Sequence, residues 1–311
     1  MIIVTGASGF IGWPLTEELI KKGYKVLAIS RSGKAPEGAE TLQQDLRKPI
    51  SLGGNIEAVI HLAAQASAKK SFEEEWNTFE NNILPVINIA KLALEKHATL
   101  ILASSAEVYG ATSQPHIKYK EEECLTLRPP SSPYSLTKIV SELIVHHYTL
   151  RGLKAIIMRP TNTYGRLLFD QSQQAKQYFI EKAITSMLSN VPELAFDGYG
   201  ESARQWLYFP DHVSAYTTVL EKSEPQPLEI YNVAGPETKT LKEVITTLQH
   251  LTGWNGKVKW GQNPRPIDPN YLIVDTQKLY TLGWRPLYDL QKGLSNYLER
   301  LRHLKGILHK P

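Results

Sequence analysis

The chain has 311 residues, 42% hydrophobic and 21% charged, which is ample for a packed core and rules out disordered, collagen-like or coiled-coil fibrous classes. Its 35 basic and 31 acidic residues leave a net charge of +4, and the charges are scattered, so nucleic acid is not implied and a small anionic ligand stays compatible. The single cysteine, Cys124, excludes an internal disulfide framework and a cysteine zinc site.

Met1-Ile2-Ile3-Val4 opens as a short apolar strand and runs straight into Thr5-Gly6-Ala7-Ser8-Gly9-Phe10-Ile11-Gly12. With no basic leader before it, and no apolar run near the roughly 18 residues that a bilayer span needs, a cytoplasmic protein with no membrane association is expected. The first helix follows, with Leu15, Leu19 and Ile20 on one face and Gly23 as its stop. Further short apolar runs at 25–29, 58–62, 100–103 and 155–158 read as strands covered on both faces. Helical patterns lie between them: Val86, Ile89, Ala90, Ala93 and Leu94 line one face, and Ile139, Leu143, Ile144 and His147 line another. Strand alternating with helix implies right-handed crossovers and an α/β doubly wound parallel sheet. Beyond Pro160 the pattern predicts a helix over 176–190, loop and short strand over 191–210, and a helix over 211–222. A strand at 229–233, a helix near 240–252 and two more beyond 275 follow. Residues 1–160 are expected to form a Rossmann-like dinucleotide-binding domain and 161–311 a smaller substrate-binding α/β domain. The strand near 229–233 is free to return to the first sheet.

The glycines at 6, 9 and 12 suit a tight turn, a close approach to a pyrophosphate and close helix–strand packing. The helix that follows presents free N–H groups and a positive dipole end to an anion. Pro14 falls in its first turn, where a missing N–H costs little. The second strand ends in Ser30-Arg31-Ser32, with no carboxylate to bind a ribose 2′-OH. A guanidinium there suits a 2′-phosphate, which favours NADP over NAD, although Arg31 could instead stack on adenine or face solvent.

Tyr134 and Lys138, in Pro133-Tyr134-Ser135-Leu136-Thr137-Lys138, are four apart and so share a helix face. A phenol with its ordinary pKa of roughly 10 is too weakly acidic to serve as a base at neutral pH. Lowering it by about three units requires about 4 kcal/mol, which an ammonium and a cationic nicotinamide in a dry cleft can supply. Ala103-Ser104-Ser105-Ala106-Glu107-Val108-Tyr109-Gly110 closes a strand at its C-terminal end, where open α/β sheets bind ligands.

Together these segments resemble the extended branch of the short-chain dehydrogenase/reductase superfamily, the nucleotide-sugar epimerases and dehydratases, over nearly the whole chain. The resemblance implies that Gly6, Gly9, Phe10, Ile11 and Gly12 hold an NAD(P) cofactor and that Asp45 and Leu46 contact its adenine. Leu62, Ala63 and Ala64, in the strand end His61-Leu62-Ala63-Ala64, together with Pro160, would line the same cofactor. Tyr134 and Lys138 match the family's YxxxK, and Ser105 matches the Ser or Thr that helps move a proton to or from a sugar oxygen. Glu107 matches the base of the 4,6-dehydratases. The polar residue that assists water loss is replaced by Ala106, which weakens dehydration; some decarboxylases keep the Glu, and a purely structural Glu107 stays open. Arg159-Pro160-Thr161-Asn162-Thr163-Tyr164-Gly165 resembles RPxNxYG, whose Asn, here Asn162, contacts the sugar diphosphate. Arg204 and Arg265 match pyrophosphate-binding arginines, and Phe196 lies where the nucleotide base is contacted. Trp284 is expected to serve packing. Asn82 matches a family Asn, but Pro85 stands where a Gly is usual and would either cap a new helical start or kink the helix. Segment 65–76, with Lys69, Lys70 and three glutamates, matches no one subfamily and is expected to border the sugar.

The resulting expectation is a nucleotide-sugar 4-epimerase acting through a transient 4-keto sugar. The alternatives are a 4,6-dehydratase or decarboxylase using Glu107, an NADPH-dependent 4-keto reductase, or a non-catalytic dinucleotide-binding protein. No metal is expected, since His146 and His147 are adjacent and cannot share a helix face. A homodimer through the YxxxK helix and the helix before it is implied by the resemblance.

Overall fold

A computed structural model of the chain describes residues 1–110, 117–125, 129–165, 178–198, 200–261 and 270–308. The elements run β1 (Ile2–Thr5), α1 (Gly12–Lys21), β2 (Val26–Ser30), β3 (Glu40–Gln43), β4 (Ala58–His61), α2 (Ala68–Glu73), α3 (Glu75–Glu95) and β5 (Thr99–Ala103). Two 3-10 turns, Ala106–Tyr109 and Glu121–Leu125, precede α4 (Pro133–Thr149), β6 (Ala155–Pro160), β7 (Asn162–Tyr164), α5 (Phe179–Leu188), β8 (Glu193–Phe196) and β9 (Ala203–Tyr208). The chain ends through α6 (Phe209–Lys222), β10 (Leu228–Val233), β11 (Thr238–Thr240), α7 (Leu241–Thr252), β12 (Lys257–Trp260), β13 (Tyr271–Leu272), α8 (Gln277–Thr281) and α9 (Leu290–Leu308).

Seven parallel strands form the central sheet in the order β10-β6-β5-β4-β1-β2-β3. β1 lies between β2 and β4, with Thr5 opposite both Ile29 and His61. The strand order reverses between β1 and β4, so the segments that leave their C-terminal ends run to opposite sides of the sheet and open a crevice. Side chains alternate across the sheet. Ile2, Val4, Ile60, Ile101 and Ile156 pack toward a core shared with Leu15, Leu19, Val213 and Val219. Ile3, Val59, Leu100, Leu102 and Ile157 pack toward Val86, Ile89, Ala93 and Val145. Each fully buried Ile, Leu or Val is worth about 1.5–3 kcal/mol, which is why both faces of these short runs are apolar. β10 joins this sheet from far along the chain, pairing with β6 from Leu228↔Ala155 to Val233↔Pro160.

Several elements differ from the sequence reading. β3 escapes it because Glu40–Gln43 is a polar, largely exposed edge strand held by pairing to β2. The inward face of α4 is not Ile139, Leu143, Ile144 and His147. It is Tyr134, Thr137, Lys138, Ser141, Glu142 and Val145, whereas Leu143 is 50% exposed. The polar inward face is tolerated because its groups are hydrogen-bonded: Ser141 Oγ donates to the Thr137 carbonyl and Thr137 Oγ1 to the Tyr134 carbonyl. Pro85 starts no new helix; it lies buried inside the single helix α3. Residues 191–210 hold two strands, β8 and β9, in small satellite sheets with β12, β11, β13 and β7. No helix among the described residues is long and apolar enough to cross a membrane.

Candidate active site

A cleft of about 720 Å³ runs over the C-terminal ends of β1, β2, β4, β5 and β6. It gathers Gly6, Gly9, Phe10, Ile11, Gly12, Arg31, Asp45, Leu46, Leu62, Ala63, Ala64 and Pro160 with Ser105, Glu107, Tyr134, Lys138 and Asn162. Phe196 and Arg204 lie outside this lining, and Arg265 lies outside the described residues.

At one end the glycine turn brings backbone to the surface. Gly6 has φ +67, and a Cβ there would sit 2.9 Å from Ala63 Cα; at Gly12 a Cβ would lie 2.1 Å from the Gly6 carbonyl oxygen. The turn is closed by Gly9 N–H donating to Gly6 O at 2.8 Å. α1 then begins with no side-chain cap at Ile11; Trp13 N–H donates to the Gly9 carbonyl at 3.0 Å and Leu15 N–H to the Ile11 carbonyl at 3.0 Å, so the N–H groups left to meet an anion are those of Ile11 and Gly12. A backbone turn with no room for a Cβ at Gly6, Gly9 or Gly12, in front of an uncapped helix start, fits a dinucleotide pyrophosphate.

The neighbouring rim holds Arg31, whose Nη1 lies 3.4 Å from Asn81 Oδ1. Ser30 Oγ is 3.4 Å from Ser32 Oγ. Asp45 is engaged by Arg47, with Nη2 donating at 2.6 Å and Nε at 3.0 Å to Oδ2. That guanidinium holds the Asp45 carboxyl down at about 2. His61 Nδ1 lies 2.7 Å from Thr5 Oγ1, which also accepts from Ala63 N–H at 3.3 Å. Burial, with the Lys138 charge, pushes His61 down to about 3, so it stays neutral and fixes the turn over 61–64.

The other end is built on the first turns of α4. Ser132 and Ser135 form a reciprocal cap: Ser132 Oγ accepts from Ser135 N–H at 3.1 Å, and Ser135 Oγ accepts from Ser132 N–H at 3.0 Å. Pro133 pre-sets the first helical position. Lys138, one turn on, donates from Nζ to the Ala103 carbonyl at 2.6 Å and lies 5.7 Å from the Tyr134 ring centroid. Burial pushes Lys138 down to about 8, against the opposing pull of Glu142. The Tyr134 phenol is pushed well above its ordinary value by burial and then by Glu107, while a hydrogen bond with Ser105 pulls it down. The expected lowering by Lys138 is therefore not what the protein's own groups produce: desolvation of the phenolate outweighs them.

Ser105 Oγ accepts the Glu107 N–H at 3.2 Å and caps the turn Ala106–Tyr109. The Glu107 carboxylate Oε2 accepts from the Ser131 and Ser132 hydroxyls at 3.3 and 3.4 Å. Glu107 thus bridges the end of β5 and the cap of α4 while facing the cleft. Asn82 ties α3 to α4, donating to Thr137 Oγ1 at 2.9 Å and to the Gln65 carbonyl at 3.0 Å. Gln65, Ala66, Ser67, Lys70 and Asn77 also border the cleft.

Arg204, on β9, donates from Nη1 to the carbonyls of Ala203 and Asn270 at 3.0 and 3.1 Å. The Phe196 ring packs against Phe179 at 4.9 Å and Trp260 at 5.2 Å. Cleft residues the sequence did not signal are Thr163, Tyr178, Glu181, His212 and Tyr216. His212 is pushed down to about 3 by burial, with Nδ1 3.0 Å from Thr163 Oγ1. No group of His, Cys, Asp and Glu that could hold a metal occurs among the described residues.

A sequence model of the NAD dependent epimerase/dehydratase family matches residues 2–234. A putative UDP-glucose 4-epimerase of Methanocaldococcus jannaschii is 27% identical over 97% of this chain and 99% of its own. The crystal structure of a Thermotoga maritima UDP-glucose 4-epimerase with UDP-glucose superposes with a TM-score of 0.85 at 26% identity, covering 98% of this chain and 99% of that one. A UDP-glucose 4-epimerase of Thermus thermophilus in complex with NAD gives 0.83 at 25% identity, covering 97% and 98%.

Proposed function

Because the chain belongs to the NAD dependent epimerase/dehydratase family, we propose that it is a nucleotide-sugar 4-epimerase working through a transient 4-keto sugar. The observation that carries this reading is the placement of Tyr134, Lys138 and Ser105 in the same cleft as the Gly6–Gly12 cradle. NAD, when bound, supplies a hydride acceptor and a positive charge that favours the phenolate. The cradle and the start of α1 would hold its pyrophosphate, with Asp45, Leu46 and the 62–64 turn along its adenosine half. Tyr134 would take the proton from the C4 hydroxyl and return it. Ser105, which pulls the phenol's pKa down against burial, would relay that proton. Lys138, held on the Ala103 carbonyl, would favour the phenolate and bind the cofactor ribose. Asn162, exposed on the cleft wall, would meet the diphosphate, with Arg204, Arg265 and Phe196 as further substrate contacts. The Thermus relative's NAD complex supports NAD; Arg31 at the rim keeps NADP as the alternative. Two copies would pair through α3 and α4 in a cytoplasmic homodimer.

A second reading rests on Glu107. Its carboxylate faces the cleft and acts on Tyr134, which suits a base beside a 4-keto group in elimination or decarboxylation.

The test is incubation with UDP-glucose or UDP-glucuronate, following products by NMR and cofactor by absorbance. Epimer formation without net cofactor reduction is expected, with Tyr134→Phe costing about 10²-fold or more. Glu107→Gln should leave epimerization within a few-fold. A dehydrated or decarboxylated product lost in Glu107→Gln establishes the second reading. Stoichiometric cofactor consumption would show a reductase, and cofactor binding with no turnover of any nucleotide sugar a binding protein.

A further inference from the structure

Arg159 is among the largest fully buried side chains of the protein. Its Nη2 meets Glu142 Oε2 at 2.7 Å and its Nε meets Oε1 at 2.9 Å, a two-pronged pair with side-chain exposures of 2% and 8%. The remaining nitrogen, Nη1, donates to Tyr109 Oη at 3.0 Å and to the Glu121 carbonyl at 2.8 Å. Glu142 Oε1 also accepts the Ser104 hydroxyl. The pair therefore joins five places: α4 one turn beyond Lys138, the end of β5 one residue before Ser105, the end of β6 one residue before Pro160, the turn Ala106–Tyr109 that carries Glu107, and the turn Glu121–Leu125.

A buried ion pair is a weak source of stability, since desolvation offsets most of its attraction and apolar residues of similar volume serve as well. What such a pair adds is fixed geometry, because bidentate guanidinium–carboxylate contacts admit one arrangement. We propose that Glu142 and Arg159 are positioning residues for the reacting end of the cleft, locking the inward face of α4 to the ends of β5 and β6 so that Lys138, Ser105 and Pro160 keep one mutual arrangement. Neither touches the reacting atoms; they act through Lys138 and Ser105, and their role in turnover rests on the roles proposed for those two residues. The titratable groups around Lys138 are Tyr134 and Glu142 on its own helix and His61 at the end of β4, with Glu107 acting on Tyr134. Burial lowers the proton affinity of Lys138, and Glu142 is the carboxylate that opposes it by favouring the charged form.

Removing one partner leaves an uncompensated buried charge, so the deciding variant is the double Glu142→Gln/Arg159→Met, which keeps the interior neutral. Two readouts are taken with wild type: the pH–rate profile of nucleotide-sugar turnover, and the pH dependence of Lys138 acetylation by acetic anhydride, read by peptide mass spectrometry. The double variant is expected to melt cooperatively and still bind NAD. Its kcat should fall about tenfold or more, and its Lys138 labelling midpoint should drop, since Glu142 is the charge of the pair that acts on Lys138. A double variant with wild-type kcat and labelling midpoint overturns the proposal. If the double variant does not fold, Ser104→Ala decides instead, since it removes one hydrogen bond to Glu142 and no charge. A lowered kcat with unchanged KM and a moved Lys138 midpoint supports positioning, and wild-type values overturn it. A wild-type protein that turns over no nucleotide sugar refutes the proposed activity, while the Lys138 midpoint still decides the role of the pair.

Discussion

Lys138 carries a charge in a place that disfavours it. Burial holds its ammonium at about 8, against the ordinary 10.5. The folded protein therefore binds this proton less tightly than the unfolded chain does. Between about pH 8 and 10.5 the unfolded state carries the proton and the folded state does not, so this residue's contribution to stability rises with pH across that window. Below pH 8 both states are protonated and the folded state bears the full burial cost, about 3 kcal/mol at about 1.36 kcal/mol per unit. Lys138→Met should then raise the unfolding free energy at pH 7 by up to that amount, and the Tm with it, while abolishing turnover, and the gain should fade as the pH rises toward 10.5; calorimetry at several pH values checks it. A variant no more stable than wild type at pH 7 would show that the bond to the Ala103 carbonyl already repays the burial. At this scale the sequence expected Tyr134, Lys138, Ser105 and Glu107 to share one site, and all four line one cleft. It did not reveal His212, Thr163 or Glu181, because a buried polar side chain leaves no periodic signature. Glu142 does leave a trace, because it falls four residues after Lys138, on the same helix face.

Among the elements, α1 and α4 do the most to shape the cleft, by opposite means. α1 offers bare backbone, and its first residue admits no side chain. Gly12→Ala would drive a methyl group to 2.1 Å from the Gly6 carbonyl oxygen, so the turn must open. Such overpacking costs about 1–3 kcal/mol, occasionally more, and a tenfold or greater rise in the Kd for NAD is expected, measurable by fluorescence titration. An unchanged Kd would mean that the cradle does not hold the dinucleotide. α4 offers side chains, and its inward face is polar. Reading the apolar positions of α4 as its core face therefore picks the wrong side of the helix. Hydrophobic periodicity finds the buried face only when the helix packs on an apolar core, and here the inward face meets the polar side of α3 and the wall of the cleft. The polar edge strand β3 was invisible for a related reason, as pairing with β2 rather than burial of its side chains holds it in place.

Across the whole molecule, the face left outward by α4 becomes informative. Leu136 and Leu143 on α4 are 37% and 50% exposed, and Trp76, Leu84 and Ile87 on α3 are 73%, 40% and 36% exposed. An apolar patch of this kind on two neighbouring helices is what an interface between two copies requires. Leu143→Glu should leave the protomer's stability within about 0.5 kcal/mol, as for most surface changes, and convert a dimeric sedimentation mass to that of one chain. A wild-type mass of one chain at micromolar concentration would refute the dimer. The doubly wound sheet was readable from the alternation of apolar strands and helices. The satellite sheets of the second half were not, because strands of two to six residues paired far apart in sequence carry little local signal.

The pairing of β10 with β6 has a consequence for synthesis. When residue 160 has left the ribosome, six strands of the sheet exist, but β6 still shows an open edge. α1 also lacks its packing partner α6, which lies between residues 209 and 222. An open parallel edge beside unburied apolar surface invites association with other chains. The nascent protein is therefore most exposed to aggregation over the roughly 70 residues before Val233 emerges, and a ribosome stalled in that interval presents a near-complete nucleotide fold that cannot yet close.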